Sequence, residues 1–357
     1  MQKRYTQKEI AKELGVSRAT IDRVIHGRGG ISEKTTSIVK ERLKEVGYSA
    51  DVIGRTLSKR DSRVVYALTF MENFFAEDVI AGFKVARDEF LQYGLEMKFL
   101  RSHLDTDLQK KQIEQAIEEN AAGILLGSNE PDEVKDLIDK CISLSIPVIT
   151  FNNDVPSSKR LCYVGGDYIE AGVLAGEIMG KLAPTGTVAH MYVIPHKHES
   201  PRFWQTLRLD GFLKTVASNP DFTVVRSVLD SPEYRAAYNG MKCLLEEHEN
   251  LSGMVVQISS DEQAIGIFDV MKNFSQKHIP VVTFDLTGVI SQYLRDGYID
   301  VCICQDPFSQ GYCSAKLMLR YLLTGERPER ILYNIRYEAV FASNHRNYGR
   351  EAHKFLR

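Results

Sequence analysis

The sequence predicts two parts of different class. A small all-α helix-turn-helix unit comes first, and a larger α/β body in two lobes, with parallel sheets flanked by helices, follows. Three observations predict this. Residues 5–48 hold three short amphipathic helical patterns separated by a Gly turn and by cap residues. From Arg63 onward, apolar strand-like runs alternate with helical periods, which is how parallel sheets covered on both faces read. Charge divides at the same place. Residues 1–63 carry 15 Lys/Arg against 8 Asp/Glu, a net of +7, and the remainder 30 against 39, a net of −9. A basic head on an acidic body implies that the head alone meets a polyanion.

In the head, Thr6-Gln7-Lys8-Glu9 has the form of a capping box, and Ile10, Ala11 and Leu14 share the face of the helix it starts. Gly15 ends that helix and Ser17 caps the next. Ile21, Val24 and Ile25 then turn inward, which leaves Arg18, Ala19, Asp22 and Arg23 outward. Ser32 caps a third helix expected to bury Ile38, Val39, Leu43 and Val46. Arg18 and Ala19 fall in the first turn of the second helix, the part of a recognition helix that reaches base edges in a major groove. An Arg there can pair bidentately with guanine, and an Ala can touch a thymine methyl. Any three-helix bundle also exposes Arg; the caps, the turn and the basic face together favour the DNA reading.

Residues 49–62 are polar with an apolar spine of Val52, Ile53 and Leu57. In the body, strands are expected at 63–70, 95–100, 123–126 and 147–151, with helices at 76–92, 107–119 and 131–144. A second series has helices at 168–182, 202–218, 233–248, 261–273 and 287–295, and strands at 186–193, 222–229, 253–258 and 280–284. A strand at 299–304, a helix at 308–324 and strands near 331–341 complete the chain.

Ligands of open parallel sheets bind at the C-terminal ends of the strands. Polar and aromatic residues gather there: Asn73, Phe74 and Phe75; Asn152 and Asn153; Arg202 and Trp204; Ser260 and Asp261; Asp285; Gln305. Amides, carboxylates and aromatic faces suit a small polyhydroxylated ligand. Asp261 and Asn152 are equally good helix caps. Arg202, Arg208 and His198 lie near enough in sequence to form a basic corner for a phosphorylated sugar, though His196 and His198 also read as plain surface-loop residues.

Composition excludes other classes. Apolar content is 43% of 357 residues, and the net charge is −2. No apolar run is long enough to span a bilayer, and the polar N-terminus does not read as a signal peptide. The six cysteines match no zinc spacing. Cys302 and Cys304 are expected on opposite faces of a strand, a poor metal geometry. P-loop and dinucleotide glycine patterns are absent, and no nucleophile–base pair stands out. No cofactor or metal is expected, and no enzymatic activity.

The head resembles the DNA-binding headpiece of the LacI/GalR repressor family. Thr6, Ile10, Ala11, Gly15, Val16, Ser17, Thr20, Ile21, Arg23, Val24, Gly27, Gly47 and Tyr48 fill that family's pattern, while Asp22 and His26 depart from its usual Ser and Asn. The resemblance implies double-stranded operator DNA as partner and Thr6, Ser17, Arg18, Ala19, Thr20, Arg23 and His26 as contacts. It also implies a hinge segment at 49–62, with Leu57 as a minor-groove wedge and Arg55 on phosphate. Gly54 stands where Ala is usual and weakens that helix.

The body is similar to the type I periplasmic binding fold, in its ribose-binding branch. Asn73-Phe74-Phe75, Ile149 to Asn153, Gly166 to Gly172, Arg208 to Phe212, Ser260 to Gly266, Thr283-Phe284-Asp285 and Cys304 to Pro307 carry the resemblance. It implies an effector cleft lined by Asn73, Phe74, Phe75, Asn152, Asn153, Arg208, Ser260, Asp261, Asp285 and Gln305, while Trp204, Arg202 and Tyr234, outside these segments, are expected to reshape the pocket. Asn152-Asn153 replace an Asp-Arg pair, so a sugar-like ligand carries over, but not ribose. The implied domains are a headpiece at 1–48, the hinge at 49–62, an effector-binding and dimerisation domain at 63–342 and a tail at 343–357. One lobe would hold about 63–165 and 306–334, the other about 166–305 and 335–342.

The expected protein is a cytoplasmic, homodimeric transcription regulator, a repressor type, whose operator affinity is set by a small sugar-like effector. It makes no membrane contact. The alternatives are a plain sugar-binding protein, which the head argues against, and a sugar-acting enzyme using Asp285 or Asp261, for which no catalytic set is present.

Overall fold

Three helices make the N-terminal unit: α1 (Gln7–Glu13), α2 (Arg18–Ile25) and α3 (Glu33–Glu45). The computed structural model describes residues 7–25, 30–45, 63–71, 74–194, 202–217, 219–274 and 277–348. Thr6, His26, Val46, Arg55, Leu57 and Asn73 lie outside these residues, as do the side chains of Ile25 and Phe74. Gly15 takes a positive φ of 65° in the turn after α1, a backbone state that suits glycine. Ser17 Oγ accepts from Thr20 N at 3.0 Å, and Ser32 Oγ accepts from Thr35 N at 3.2 Å. Each hydroxyl thereby satisfies an amide that its helix cannot. Ile10, Ala11, Ile21, Val24 and Val39 form the small core. Arg42 ties α3 to α1 through Glu13 at 2.8 Å.

Ile38 departs from expectation, being 46% exposed. Neighbouring residues on a helix point about 100° apart, so Ile38 and Val39 cannot share the inward face. Val39 takes it, with Leu43 one turn on, packed partly buried against the core.

The second unit is built on two six-stranded sheets. The first has the order β11-β5-β4-β3-β1-β2, from β1 (Val64–Thr69), β2 (Glu96–Arg101), β3 (Gly123–Leu126), β4 (Val148–Phe151), β5 (Cys162–Gly165) and β11 (Leu332–Asn334). All its pairs are parallel. The second has the order β12-β10-β9-β8-β6-β7, from β6 (Gly186–Val193), β7 (Phe222–Leu229), β8 (Leu251–Val256), β9 (Val281–Phe284), β10 (Val301–Cys304) and β12 (Glu338–Val340). Only β12 runs antiparallel, against β10. The chain therefore passes between sheets three times, after β5, β10 and β11. Central strands such as β3 (GILL) and β9 (VVTF) are buried throughout, as strands covered on both faces must be.

Helices cover both sheets: α4 (Phe74–Phe90), α5 (Thr106–Glu118) and α6 (Pro131–Ser143), then α7 (Tyr168–Leu182), α8 (Phe203–Val216), α9 (Tyr234–Glu247), α10 (Asp261–Phe274), α11 (Gly288–Arg295) and α12 (Pro307–Thr324). Two helix pairs approach through reciprocal glycines. A methyl on Gly172 of α7 would sit 2.0 Å from Arg208 O of α8, and one on Gly211 of α8 would sit 2.1 Å from Ile169 O of α7. Gly82 of α4 and Gly311 of α12 face Phe308 O and Val79 O at 2.2 and 2.0 Å in the same way.

Two details correct the sequence reading. Strand β5 is not among the expected elements; it follows β4 with no helix between them and so falls outside the strand–helix alternation. Cys302 and Cys304 lie on one face of β10, with sulfurs 3.6 Å apart. Strand side chains alternate with period two, so residues two apart share a face.

Candidate functional site

In the N-terminal unit, Ser17, Arg18, Ala19 and Arg23 are exposed and Thr20 half-buried. The inward side of α2 is spent on Ile21 and Val24, so the outward side offers Arg18 and Ala19 in its first turn and Arg23 one turn later. Ser17 and Thr20 are also joined to each other, with hydroxyl oxygens 2.9 Å apart. The capping that starts α2 thus fixes the two hydroxyls next to Arg18.

In the second unit, the strand ends of both sheets converge on a cleft. Its floor in lobe two is a connected charge set. Arg208 donates from NH2 to Asp285 Oδ2 at 3.1 Å, and Gln305 donates from Nε2 to Asp285 Oδ1 at 2.9 Å. Gln310 fixes Gln305 by donating to its carbonyl at 2.9 Å. Arg208 reaches the site because α8 lies close on α7 through the reciprocal glycines. Its guanidinium lies 4.2 Å from the Phe284 ring centroid and 5.2 Å from that of Tyr168, a cation–π seat. Burial works against the charge of Arg208, but Asp285 and the nearby Tyr337 and Tyr168 hold its pKa up. Arg208 Nε and the Tyr337 hydroxyl are buried and have no partner among the described residues, donors free for a ligand or water. Asp285 has a positive φ of 62° at the end of β9, as Asn152 does at the end of β4 with 60°. Asp and Asn tolerate that region better than most residues.

Two tyrosines brace the first crossover between the lobes. Tyr168 OH lies 3.0 Å from Asn152 O and 3.1 Å from Asn153 Oδ1. Tyr163 OH lies 2.7 Å from Asn152 O and 2.9 Å from Gly166 O. Burial raises the pKa of both phenols, so both stay protonated donors. Asn153 Nδ2 donates to Ser128 O at 2.8 Å. With both ends of its amide used and no exposure, Asn153 braces the crossover. Asn152 shares a crevice with Phe70, Met71, Phe75 and Phe151.

Across the cleft mouth the lobes touch directly. Arg202, at the start of α8, pairs with Glu130, at the start of α6, and its NH1 lies 3.4 Å from Asn129 Oδ1. Trp204 lies beside Phe70, with ring centroids 6.1 Å apart. Arg202 and Arg208 are thus each matched by a carboxylate; His198, the third member of the expected basic corner, lies outside the described residues.

Three expected cleft residues are spent elsewhere. Ser260 donates to Pro232 O at 2.5 Å and accepts from Gln263 N at 3.0 Å. Asp261 accepts from Thr287 Oγ1 at 2.7 Å. Ser260 thereby caps α10, and Asp261 ties the start of α10 to Thr287, the N-cap of α11. Tyr234 donates to Asp269 at 3.1 Å and stacks on Tyr238, so it joins α9 to α10 on the outer layer. Sequence reasoning missed Phe70, Asn129 and Glu130. Asn129-Glu130-Pro131 follows β3 as the other polar clusters follow their strands, and that shared position was the available signal.

Among the described residues, no group of three or more His, Cys, Asp or Glu converges as a metal site, and no helix is long and apolar enough to cross a membrane.

Comparison with known proteins finds two families. The periplasmic binding protein domain matches residues 64–327, and the bacterial regulatory proteins of the lacI family match residues 6–51. The HTH-type transcriptional regulator RegA of Clostridium saccharobutylicum is 25% identical over 333 residues, 90% of this chain and 94% of its own. A crystal structure of a putative LacI transcriptional regulator from Bacteroides fragilis superposes with a TM-score of 0.72 at 16% identity, covering 80% of this chain and 99% of that one. GanP, a glucose-galactose binding protein from Geobacillus stearothermophilus, gives 0.69 at 22% identity, covering 80% and 99%. These two structural likenesses speak for the fold alone.

Proposed function

We infer the function from what the chain is: a member of the periplasmic binding protein domain family that carries, ahead of that domain, a regulatory domain of the lacI family. It is a DNA-binding transcription regulator whose operator affinity responds to a small sugar-like effector. The observation that carries this reading is the joining, in one chain, of a helix-turn-helix unit with outward Arg18 and Ala19 to a two-lobed unit with a polar cleft. RegA is named a transcriptional regulator, and GanP binds glucose and galactose. The matched families and relatives are regulators and binding proteins, not enzymes.

The cleft chemistry supports an uncharged polyol. Asp285 offers acceptor capacity, while Arg208 Nε and the Tyr337 hydroxyl are buried donors without partners. Trp204 and Phe70 offer ring faces. The DNA contacts we assign are Ser17, Arg18, Ala19, Thr20 and Arg23, with Thr6, His26, Arg55 and Leu57 proposed from sequence. The cleft residues we assign are Asn152, Phe75, Trp204, Arg208, Asp285 and Gln305, with Asn73 and Phe74 proposed from sequence. A homodimer in the cytoplasm is the proposed working unit, since operators are read as paired half-sites.

Trp204 is the chain's single tryptophan, so intrinsic fluorescence reports the cleft without labels. The test titrates the full chain with neutral sugars, sugar alcohols and sugar acids, then measures binding to DNA from upstream of its own coding sequence, with and without each hit. One of the sugars is expected to shift Trp204 emission and to change operator affinity. Arg18→Ala should cost about 1–3 kcal/mol at the operator while leaving non-specific binding near its parental value. A chain whose DNA affinity ignores every ligand that moves Trp204 would overturn effector control. An Arg18→Ala variant with undiminished specificity would remove Arg18 from the contact set.

A further inference from the structure

We propose that Glu130 is a charge filter: by occupying Arg202 from the opposite lobe, it makes the cleft select uncharged ligands over phosphorylated or carboxylated ones. The proposal rests on the cleft being the effector site and adds what that site refuses.

A ligand phosphate or carboxylate needs a cation that is not already committed. The described cleft has two arginines, and each is taken. Arg208 is held by Asp285 from its own lobe. Arg202 is held by Glu130 from the other lobe, and Asn129 Oδ1 stands beside the same guanidinium nitrogen. Glu130 occupies the N-cap position of α6 but makes no side-chain capping bond there. Its carboxylate is therefore spent on Arg202 rather than on its own helix.

Arg202 keeps 13% of its side-chain exposure and Glu130 30%, so the pair sits largely out of water. An anionic ligand reaching Arg202 would have to displace Glu130 and leave that carboxylate unpaired beside the new anion, in a place where charge is poorly solvated. A hydroxyl group faces no such barrier. Removing the charge of Glu130 while keeping its shape should therefore turn Arg202 into an anion site.

The test uses inorganic phosphate as probe, so it does not depend on which sugar binds. Thermal stability of the full-length parent, Glu130→Gln, and Glu130→Gln with Arg202→Met is measured against rising phosphate at constant ionic strength. Phosphate should bind Glu130→Gln about tenfold or more tightly than the parent, as expected for releasing a close charge pair. The double variant should return to parental behaviour, which subtracts any phosphate taken up elsewhere on the chain. A charge-swapped chain, Glu130→Arg with Arg202→Glu, restores a pair and should match the parent. Parental phosphate affinity equal to that of Glu130→Gln overturns the filter. So does a folded Glu130→Gln that gains nothing, or a gain that survives loss of Arg202. If sugar titration of the parent finds an effector while the phosphate arm fails, only the filter falls. If the phosphate arm succeeds and no sugar binds, the filter stands and the sugar reading falls.

Discussion

His190 is fully buried on β6, and neither ring nitrogen has a hydrogen-bond partner among the described residues. Burial, with Arg226 and Arg208 nearby, lowers its pKa from 6.5 to about 3. The unfolded chain therefore binds a proton below pH 6.5 that the folded chain refuses. Stability from the neutral ring is full above the unfolded pKa and is lost progressively as pH falls toward about 3. Between pH 7 and pH 5 this single group should cost about 2 kcal/mol. Urea melts of the parent and of His190→Leu at both pH values measure it: the variant should lose less by about that amount, and equal losses would mean that His190 is solvated. Single residues also mark where sequence reading stopped. Asp285 and Gln305 were legible because strand ends announce themselves by polarity, whereas Arg208, inside α8, was legible only through the family resemblance of the segment Arg208 to Phe212. Asn153 and Tyr234 occupy equally polar positions, yet one is consumed by Ser128 and Tyr168 and the other by Asp269. Which way a side chain turns depends on partners far along the chain, and no local pattern encodes them.

At the scale of elements, the glycines of α7 do different work. A methyl on Gly172 would sit 2.0 Å from the carbonyl of Arg208, whereas one on Gly180 would meet nothing within 4 Å. Gly172→Ala should destabilise the chain by about 1–3 kcal/mol through overpacking. Because the clash falls on Arg208 itself, the variant should also weaken sugar binding, read through Trp204. Gly180→Ala is expected to be neutral or to gain up to about 1 kcal/mol of helix propensity. If both variants melted and bound like the parent, the close approach of α7 and α8 would be refuted. Most elements were readable in advance, since apolar runs and helical periods are local properties. β5 was not, because no helix separates it from β4, so it stands outside the alternation of strand and helix. Ile38 misled because an apolar residue on a helix with a small core need not reach it.

At the scale of the whole molecule, effector and operator are coupled only if the ligand prefers one arrangement of the lobes, and the coupling acts in both directions. The direct contacts of Arg202 with Glu130 and of Trp204 with Phe70 favour the arrangement in which they form, so they bias that equilibrium before any ligand arrives. The dimer proposal makes its own prediction. Sedimentation with a two-half-site operator should show two chains per duplex, and a single half-site should bind far more weakly; equal affinity for both would refute paired reading.

The order of strands also bears on synthesis. β11, which closes one edge of the first sheet, lies beyond residues 166–331 in the chain from its neighbour β5. β12 follows it at once and closes the second sheet. A ribosome therefore releases most of lobe one on the order of ten seconds before it supplies the last strand of that lobe. Both sheets wait with an open edge until nearly the same moment. A message cut short after α12 would leave two incomplete sheets rather than one finished lobe, so neither lobe can be completed before the other.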